Sequence, residues 1–285
     1  MLCVCGGLVV LTVGKSLKLN RITAVDVSTS APLAQNRCYL PFFWLVRQRL
    51  NFKQVKNKNM DFETLGDWCK WLEKNFSNEV MIPTLPVIIR LDGNNFHNWT
   101  KGLERPFDKK LTELMTETTK FLVQETNAVV GYTQSDEITL VLYSGDRKSA
   151  IYNDGKKQKI LSKLTAKCVN FFNEKRKELL PAHDKVAVFD CRIYQTPTLH
   201  DACVQLLWRE NDATKNSISM LAQSLFSHKQ LQNLNGNEMQ DKMMLEKGVN
   251  WNDLEAKLKR GTYVKRIKTS KPFTADELKD LPPMH

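Results

Sequence analysis

The sequence predicts an α+β fold, in which one antiparallel β-sheet is followed by a mainly helical C-terminal extension. Between residues 60 and 195, runs of strand length alternate with apolar positions at helical spacing, in the order β-α-β-β-α-β. Two of the predicted strands are separated only by the polar residues 133–137, which is typical of a hairpin. From residue 196 to 270, helical patterns dominate. This order is that of the ferredoxin-like arrangement, which is built on a single antiparallel sheet.

The first predicted elements are a helix, a strand and a second helix. Apolar residues recur at helical spacing over 61–76, which predicts an amphipathic helix. The run 87–91 is rich in β-branched residues and predicts a buried strand. Pro106 precedes a second helical pattern at 107–125. Proline is favoured at a helix start because it lacks the N–H that would stay unpaired there.

The remaining elements complete the sheet and add helices to it. Segments 128–132 and 138–143 predict the two hairpin strands. A helical pattern over 160–180 then leads to a fourth strand over 185–189. Four further helices and a last strand are predicted at 198–208, 214–228, 238–247, 250–259 and 262–268.

Composition restricts the classes of function. Hydrophobic residues make up 42% and charged residues 26% of the 285 residues, so a packed core is expected and wholesale disorder is not. The net charge of +11 favours a polyanionic partner such as nucleic acid. The seven cysteines are odd in number and include no C-x-x-C pair, which favours free thiols in a reducing compartment over a zinc site.

The first 59 residues differ in composition from the rest of the chain. They contain nine Lys or Arg residues and one acidic residue. We expect them to be an extension, either an organellar transit peptide or a segment upstream of the true start, and the protein to be cytoplasmic or mitochondrial. The apolar run 2–13 is shorter than the roughly 20 residues of a membrane span, so no membrane partner is expected. Residues 271–285 are predicted to form an irregular tail.

Two polar clusters follow directly on strand ends of this layout. Residues 92–97 (D-G-N-N-F-H) come after the first strand, and residues 134–137 (Q-S-D-E) lie in the hairpin. Because the first strand is antiparallel to the third and beside it, Asp92 and Asp136 are expected at the same sheet edge. Both segments are also ordinary turn sequences, so it is their shared position that favours a functional site.

This edge suits a divalent cation. Two neighbouring carboxylates repel unless a cation or proton separates them, and Mg²⁺ prefers hard oxygen ligands. We therefore predict that Asp92, the Gly93 carbonyl and Asp136 hold two Mg²⁺ ions. Glu137 is predicted to act with the two aspartates in catalysis, with a surface role as its alternative. The N–H groups of 94–97 are expected to bind a triphosphate.

These residues also carry a family resemblance. Residues 90–97 (R-L-D-G-N-N-F-H) resemble the R-[IL]-D-G-x-x-F-H signature of the tRNA(His) guanylyltransferases. Residues 131–137 (G-Y-T-Q-S-D-E) resemble their G-Y-x-Q-S-D-E hairpin, and 105–108 (R-P-F-D) resemble their K/R-P-x-D segment. The resemblance extends over roughly 60–268.

The resemblance implies a polymerase-like palm that adds nucleotides to the 5′ end of tRNA in the 3′-to-5′ direction, with GTP, ATP and other NTPs as substrates and a homotetramer as the assembly. It implies that nucleotide-binding residues lie in the two motifs and at the basic position between them: Asp92, Gly93, Asn94, Asn95, Phe96, His97, Arg105, Ser135 and Asp136. Contacts with RNA or phosphate are expected from five further residues: Asp212, Lys215, Asn216, Lys242 and Arg260.

One segment departs from the family pattern. Eukaryotic guanylyltransferases carry H-I-N-N-L-Y-N after a W-R pair and an aspartate, whereas residues 208–219 are W-R-E-N-D-A-T-K-N-S-I-S, with Thr214 in place of the histidine. This form resembles the guanylyltransferase-like proteins, which repair or edit truncated tRNA 5′ ends with the opposite strand of the acceptor stem as template. Asp212 or Thr214 is also a candidate N-cap of the helix predicted from 214.

Three alternatives to template-directed repair remain. A tRNA(His) guanylyltransferase that adds a single G before position 1 would share the activation chemistry. A nucleotidyl cyclase on the same palm would share the two carboxylates, but the 105–108 and 208–219 segments argue against it. A non-catalytic RNA-binding module is disfavoured because both aspartates are present.

Overall fold

The computed structural model of the protein describes residues 2–5, 8–11, 64–146 and 148–267. The chain divides into two compact units, 1–76 and 77–285. In the first unit, strands β1 (Leu2–Cys5) and β2 (Leu8–Leu11) pair antiparallel. The other residues of the expected extension 1–59, and the expected tail 271–285, lie outside the described residues.

Helix α1 (Leu65–Ser77) confirms most of the amphipathic helix expected over 61–76. Its start is set by a reciprocal cap, in which the Asp67 N–H donates to Thr64 Oγ1 and the Thr64 N–H donates to Asp67 Oδ2, both at 3.1 Å. Two main-chain donors of the first turn are thereby satisfied, and this fixes the first residue of the helix.

The second unit is built on an antiparallel sheet that has five strands among the described residues. In chain order the strands are β3 (Val87–Gly93), β4 (Val130–Gln134), β5 (Glu137–Leu142), β6 (Phe189–Gln195) and β7 (Thr262–Val264). Their order across the sheet is β6-β3-β5-β4-β7. The first four strands therefore confirm the predicted ferredoxin-like arrangement, and β7 extends it beside β4.

Among its described residues, this unit has seven α-helices: α2 (Phe96–Trp99), α3 (Lys109–Thr126), α4 (Lys157–Leu179), α5 (Leu199–Leu225), α6 (His228–Leu231), α7 (Gly236–Lys247) and α8 (Ala256–Arg260). Short 3₁₀ turns occupy Tyr152–Gly155 and Trp251–Asp253. The predicted helix 250–259 is therefore wrong in extent, because the 3₁₀ turn and α8 divide it. The predicted last strand shortens to the three residues of β7.

The two faces of the sheet are covered by different helices. Ile89 and Leu91 are fully buried in one apolar cluster with residues of α3 and α4, and we call this side the α3/α4 face. Ile88 lies in a second cluster with Ala202 and Leu206 of α5, and we call this side the α5 face. Because consecutive side chains of a strand point to opposite faces, Arg90 and Asp92 belong to the α5 face.

The strand predicted at 185–189 is wrong in position, because β6 pairs with β3 only from Phe189 onward. The residues before it use their main chain elsewhere. Ala187 exchanges two hydrogen bonds with the side chain of Asn173 on α4, at 2.8 and 2.9 Å. The Val188 carbonyl accepts from the Asn94 N–H at 2.8 Å. These hydrogen bonds take the place of the strand-to-strand hydrogen bonds that a strand at 185–189 would form.

The two helices predicted at 198–208 and 214–228 are one continuous helix, α5, so the predicted N-cap at Asp212 or Thr214 is wrong. The cap is at Thr198, whose hydroxyl accepts from the Asp201 N–H at 3.1 Å. The Thr214 hydroxyl instead donates to the Glu210 carbonyl one turn earlier, at 2.9 Å. The polar stretch in the middle of α5 resembles a loop in sequence because Arg209 and Glu210 bind polar groups of the sheet while Lys215 and Asn216 are exposed.

Candidate nucleotide and metal site

The end of β3 and the β4–β5 hairpin meet at one edge of the sheet. Asp92 and Glu137 are directly opposite each other in the β3–β5 register. The Gly93 N–H donates to the Asp136 carbonyl at 3.0 Å, which ties the residue after Asp92 to the hairpin turn. Ser135 occupies the left-handed region, with φ of 53°, and this gives the turn its shape. The structure thus confirms that residues 44 positions apart in the sequence share this edge.

Electrostatics at this edge favour a bound cation. Burial raises the pKa of Asp136 above its ordinary value, a hydrogen bond from Ser135 partly opposes that effect, and the charges of Asp92 and Glu137 raise the pKa further. A carboxylate that is disfavoured by burial and by neighbouring carboxylates is stabilised when a cation binds. Two carboxylates and a main-chain carbonyl are hard oxygen donors, so these residues fit Mg²⁺.

In the described part of the chain, no group of three or more His, Cys, Asp and Glu side chains is arranged to hold a metal ion. Two aspartates alone therefore form the side-chain part of the candidate site. Mg²⁺ keeps several waters and commonly takes one or two carboxylates together with substrate phosphates. Such a donor set is consistent with an ion that binds together with a nucleotide.

Arginines compensate part of the negative charge. Arg192 on β6 lies opposite Arg90, and its Nη2 is 3.8 Å from Asp92 Oδ2. This distance is that of an ion pair rather than of a hydrogen bond. The Arg90 Nε is buried and has no hydrogen-bond partner among the described residues. Arg192 was not among the predicted site residues.

Gly93 and Phe96 are fixed by packing in the segment that follows. A Cβ on Gly93 would lie 2.3 Å from the Phe96 ring, so no other residue fits there without displacing that ring. The ring is buried and stacks on Trp99 with centroids 4.8 Å apart. Phe96 can therefore contact a nucleotide only through its main chain. The N–H groups of 95–97 make no main-chain hydrogen bond within the described residues, and they remain available as donors. The prediction is wrong for Asn94, because its N–H donates to the Val188 carbonyl at 2.8 Å.

A cleft of about 640 Å³ opens beside this segment. It brings together His97, Arg105 and Ser135, which come from three separate sequence motifs. Gln223 and Ser224 of α5 also line the cleft and were not predicted as site residues. No local sequence signal identifies them, because only the uninterrupted course of α5 places its C-terminal half over the cleft.

Glu137 is engaged by a residue of α5. Arg209 donates to its two carboxylate oxygens at 2.7 and 2.6 Å, and the two side chains are only 15% and 13% exposed. Arg209 also lies 3.2 Å from Asp212. These contacts do not support the prediction of Glu137 as a catalytic carboxylate, since its oxygens face the guanidinium. They place Asp212 in the same ion-pair network, and Arg209 itself was missed as a site residue.

The remaining residues that were predicted to contact RNA or phosphate lie on helices α5, α7 and α8. Lys215 and Asn216 are exposed on α5. Lys242 pairs with Glu246 on α7 and lies over the Phe226 ring, so its ammonium is engaged within the helical extension. Arg260 is more exposed and lies 3.9 Å from a carboxylate oxygen of Glu210.

Comparisons with known proteins identify the family. A family model described as tRNAHis guanylyltransferase matches residues 68–197. The solved structure of a bacterial tRNA(His) guanylyltransferase-like protein in complex with ATP is 40% identical, with a TM-score of 0.68, and the match covers 71% of this chain and 89% of that one. The chain belongs to the tRNA(His) guanylyltransferase family. It is therefore a nucleotidyltransferase with the palm fold of this family.

Three further similar proteins have lower identity to this chain. A bacterial guanylyltransferase-like protein in complex with GTP is 36% identical, with a TM-score of 0.62, over 72% of this chain and 86% of that one. The tRNA(His) guanylyltransferase of Saccharomyces cerevisiae is 27% identical over 67% of this chain and 86% of its own length. The uncharacterized protein R259 of Acanthamoeba polyphaga mimivirus is also 27% identical, over 74% of this chain and 80% of its own length. No helix within the described residues has the length and apolar character that crossing a membrane requires.

Proposed function

We propose that the protein repairs or edits tRNA 5′ ends by adding nucleotides in the 3′-to-5′ direction, with the opposite strand of the acceptor stem as template. The main support for this activity is that Asp92 and Asp136 lie at one edge of the sheet, beside a cleft lined by His97 and Arg105. The template-directed form is supported by the higher identity to the guanylyltransferase-like proteins and by Thr214, which stands where eukaryotic relatives carry histidine.

The residues at the edge suit two-metal chemistry. Asp92, the Gly93 carbonyl and Asp136 would hold two Mg²⁺ ions, which when bound favour ionisation of an attacking hydroxyl and neutralise a triphosphate. The N–H groups of 95–97, the Ser135 hydroxyl and the Arg105 guanidinium would bind the nucleotide and orient it. Glu137 would act indirectly, because Arg209 holds it and thereby fixes the hairpin that carries Asp136.

The reaction joins an incoming nucleotide to the 5′ end of the RNA. The 3′-hydroxyl of the incoming nucleotide attacks the phosphorus at the 5′ end of the RNA. A new phosphodiester bond forms, and the bond from that phosphorus to the leaving group breaks. The leaving group is pyrophosphate from a 5′-triphosphate, or AMP from a 5′ end adenylylated with ATP. Base pairing with the template strand selects the nucleotide, so the protein's own contacts need only position sugar and phosphates.

The proposal includes contacts with tRNA and self-association. Lys215, Asn216 and Arg260 are exposed and available to phosphate. On the N-terminal half of α5, Leu207 and Trp208 are 56% and 51% exposed. Exposed apolar side chains of this kind are common at protein interfaces and support the expected homotetramer.

The test uses tRNAs that lack one or two 5′ nucleotides, beside full-length tRNA(His) with a 5′ monophosphate. With Mg²⁺ and labelled NTPs, we expect template-matched extension of several truncated tRNAs. Addition of one G to tRNA(His) alone would favour the guanylyltransferase function, and binding of RNA without addition would favour a non-catalytic module.

The matched variants for this test are Asp92→Asn and Asp146→Asn. Asp146 is exposed, beyond the opposite end of β5 from the site. Extension is expected to disappear in Asp92→Asn and to persist in Asp146→Asn. Full extension by Asp92→Asn would refute the proposed metal site.

A further inference from the structure

The segment that follows Asn94 is held from behind by residues 183–188, which we call the strap. The Trp99 indole N–H donates to the Lys185 carbonyl at 3.0 Å, and the Asn94 N–H donates to the Val188 carbonyl at 2.8 Å. Groups on both sides of the short helix α2 are therefore tied to the same stretch of chain, which lies 86 positions from Trp99 and more than ninety from Asn94.

The ammonium of Lys185 adds three further bonds to this attachment. Its Nζ is 2.8 Å from the Asn98 carbonyl oxygen, 3.3 Å from that of Trp99 and 3.2 Å from that of Lys101. A lysine ammonium has three N–H donors, and this arrangement uses all of them. Asn98 and Trp99 are the last two residues of α2, where carbonyls lack partners inside the helix, and Lys101 lies two residues beyond its end.

The strap is itself fixed to the body of the palm. The side chain of Asn173 on α4 binds both main-chain groups of Ala187, at 2.8 and 2.9 Å. The Trp99 ring is enclosed by His183 of the strap and Phe172 of α4, with centroid distances of 4.3 and 5.5 Å. The strap thus transmits the rigidity of a long helix to a four-residue one.

The segment has internal contacts, among them a hydrogen bond from the Asn98 side-chain amide to Asn95 Oδ1 at 2.7 Å, but it is short and depends on support from outside. A helix of four residues is too short to be stable by itself. Asn95 before it lies in the left-handed region, with φ of 56°, and its side chain forms no N-cap hydrogen bond. Its shape, and hence the direction of the N–H groups of 95–97, depends on contacts from elsewhere in the chain.

We propose that Lys185 is a positioning residue for nucleotide binding, and that it acts by clamping the C-terminal end of α2. The inference rests on the proposed function, because it takes the N–H groups of 95–97 as the triphosphate donors. Without the clamp these donors are no longer held in their binding directions, and ordering them opposes binding. The nucleotide KM should therefore rise more than kcat falls.

The first experiment compares Lys185→Met with Lys110→Met in Mg²⁺-dependent nucleotide addition. Lys110 is an exposed lysine on α3, so its variant removes the same charge without touching the strap. We expect the KM for NTP to rise about tenfold in Lys185→Met, with kcat within about threefold of the native value. Equal effects of the two variants would overturn the clamp, because general attraction of the anion would then explain both.

A conservative variant tests the geometry of the clamp. Lys185→Arg keeps the charge, but a planar guanidinium cannot direct its donors to three carbonyls as an ammonium does. We expect a KM between those of the native protein and Lys185→Met. A native KM in Lys185→Arg would overturn the three-carbonyl geometry in favour of charge alone.

Hydrogen exchange of the nucleotide-free protein separates this inference from the proposed function. Lys185→Met should speed amide exchange at least threefold in peptides that cover 94–101, with unchanged exchange over α3. Unchanged exchange at 94–101 would overturn the clamp. Faster exchange with an unchanged nucleotide KM would overturn the link to nucleotide binding. If the native protein added no nucleotide to any RNA, the proposed function would fail, and the exchange result would still test the clamp.

Discussion

The two faces of the central sheet differ in chemistry although they share the same strands. On the α3/α4 face, β3 contributes Ile89 and Leu91 to an apolar cluster from which water is excluded. On the α5 face, the same strand begins apolar at Ile88 and becomes charged at Arg90 and Asp92. One face therefore stabilises the fold along its whole length, whereas the other gives up apolar contact near the strand end to hold charges.

The palm therefore places the residues that stabilise its fold on one face of the sheet and its charged residues on the other. Fully burying an aliphatic side chain contributes about 1.5–3 kcal/mol, so the α3/α4 face supplies stability. Buried charges are unfavourable unless they are paired, and Glu137 meets this condition through Arg209. Burial is the main reason that the pKa of Asp136 is raised, and the charges of Asp92 and Glu137 raise it further.

The largest effect is expected from Asp136→Asn. Loss of one of the two carboxylates that we propose as metal ligands should lower the rate of nucleotide addition by about 1000-fold or more, an effect of about 4 kcal/mol. The measurement is single-turnover extension of a truncated tRNA. Retention of a tenth or more of the native rate would contradict the assignment of Asp136.

The same variant should not destabilise the fold, which sharpens the contrast between the faces. Because the pKa of Asp136 is raised in the folded protein, its protonated form favours folding below the ordinary value of 3.8, and this contribution is lost as pH rises through the raised pKa. At neutral pH the ionised carboxylate therefore opposes folding. Urea unfolding at pH 7 should show Asp136→Asn equal to the native protein or more stable.

The second largest effect is expected when the ion pair between Arg209 and Glu137 on the α5 face is broken. Arg209→Met leaves the Glu137 carboxylate buried without its partner, which should cost about 3 kcal/mol of unfolding free energy. The double variant Arg209→Met/Glu137→Gln should recover part of that loss, because no unpaired charge remains. Urea unfolding of both variants measures the difference. A double variant less stable than Arg209→Met would contradict this account.

We expect Mg²⁺ to stabilise the protein by binding to the carboxylates at the charged end of the α5 face. At a concentration ten times its dissociation constant, an ion that binds only the folded state adds about 1.4 kcal/mol. We expect Tm to rise by about 3 °C in the native protein and in Asp146→Asn, but not in Asp136→Asn. Thermal unfolding with and without Mg²⁺ tests this, and an equal rise in all three proteins would place the ion elsewhere.

The smallest effect is expected from a conservative change on the α3/α4 face. Ile89→Val removes one methylene group from a fully buried side chain and should cost about 1 kcal/mol, with kcat/KM unchanged. Ile267→Val is the matched control, because that side chain is 77% exposed and should change stability little. A marked loss of activity in Ile89→Val would show that the two faces are not separable.

Local patterns identified β3, β4 and β5 of the sheet, whereas the strand predicted at 185–189 was wrong in position. The β-branched run that ends at Asp92 and the polar hairpin that contains Asp136 were recognised from residue type and spacing. The antiparallel order then placed both aspartates at one edge without any side-chain coordinates. The cap at Thr64 and the uninterrupted α5 were missed, because a polar stretch in a helix and a polar loop have the same composition.

The β-α-β-β-α-β order, the two aspartate motifs and the family resemblance follow from the sequence, since they depend on neighbouring residues and their spacing. The tertiary structure decided which charges are paired and which main-chain groups are held. Arg209 meets Glu137 across 72 positions, and Lys185 meets the carbonyls of α2 across more than eighty. Such contacts depend on where distant elements pack, and no local periodicity encodes them.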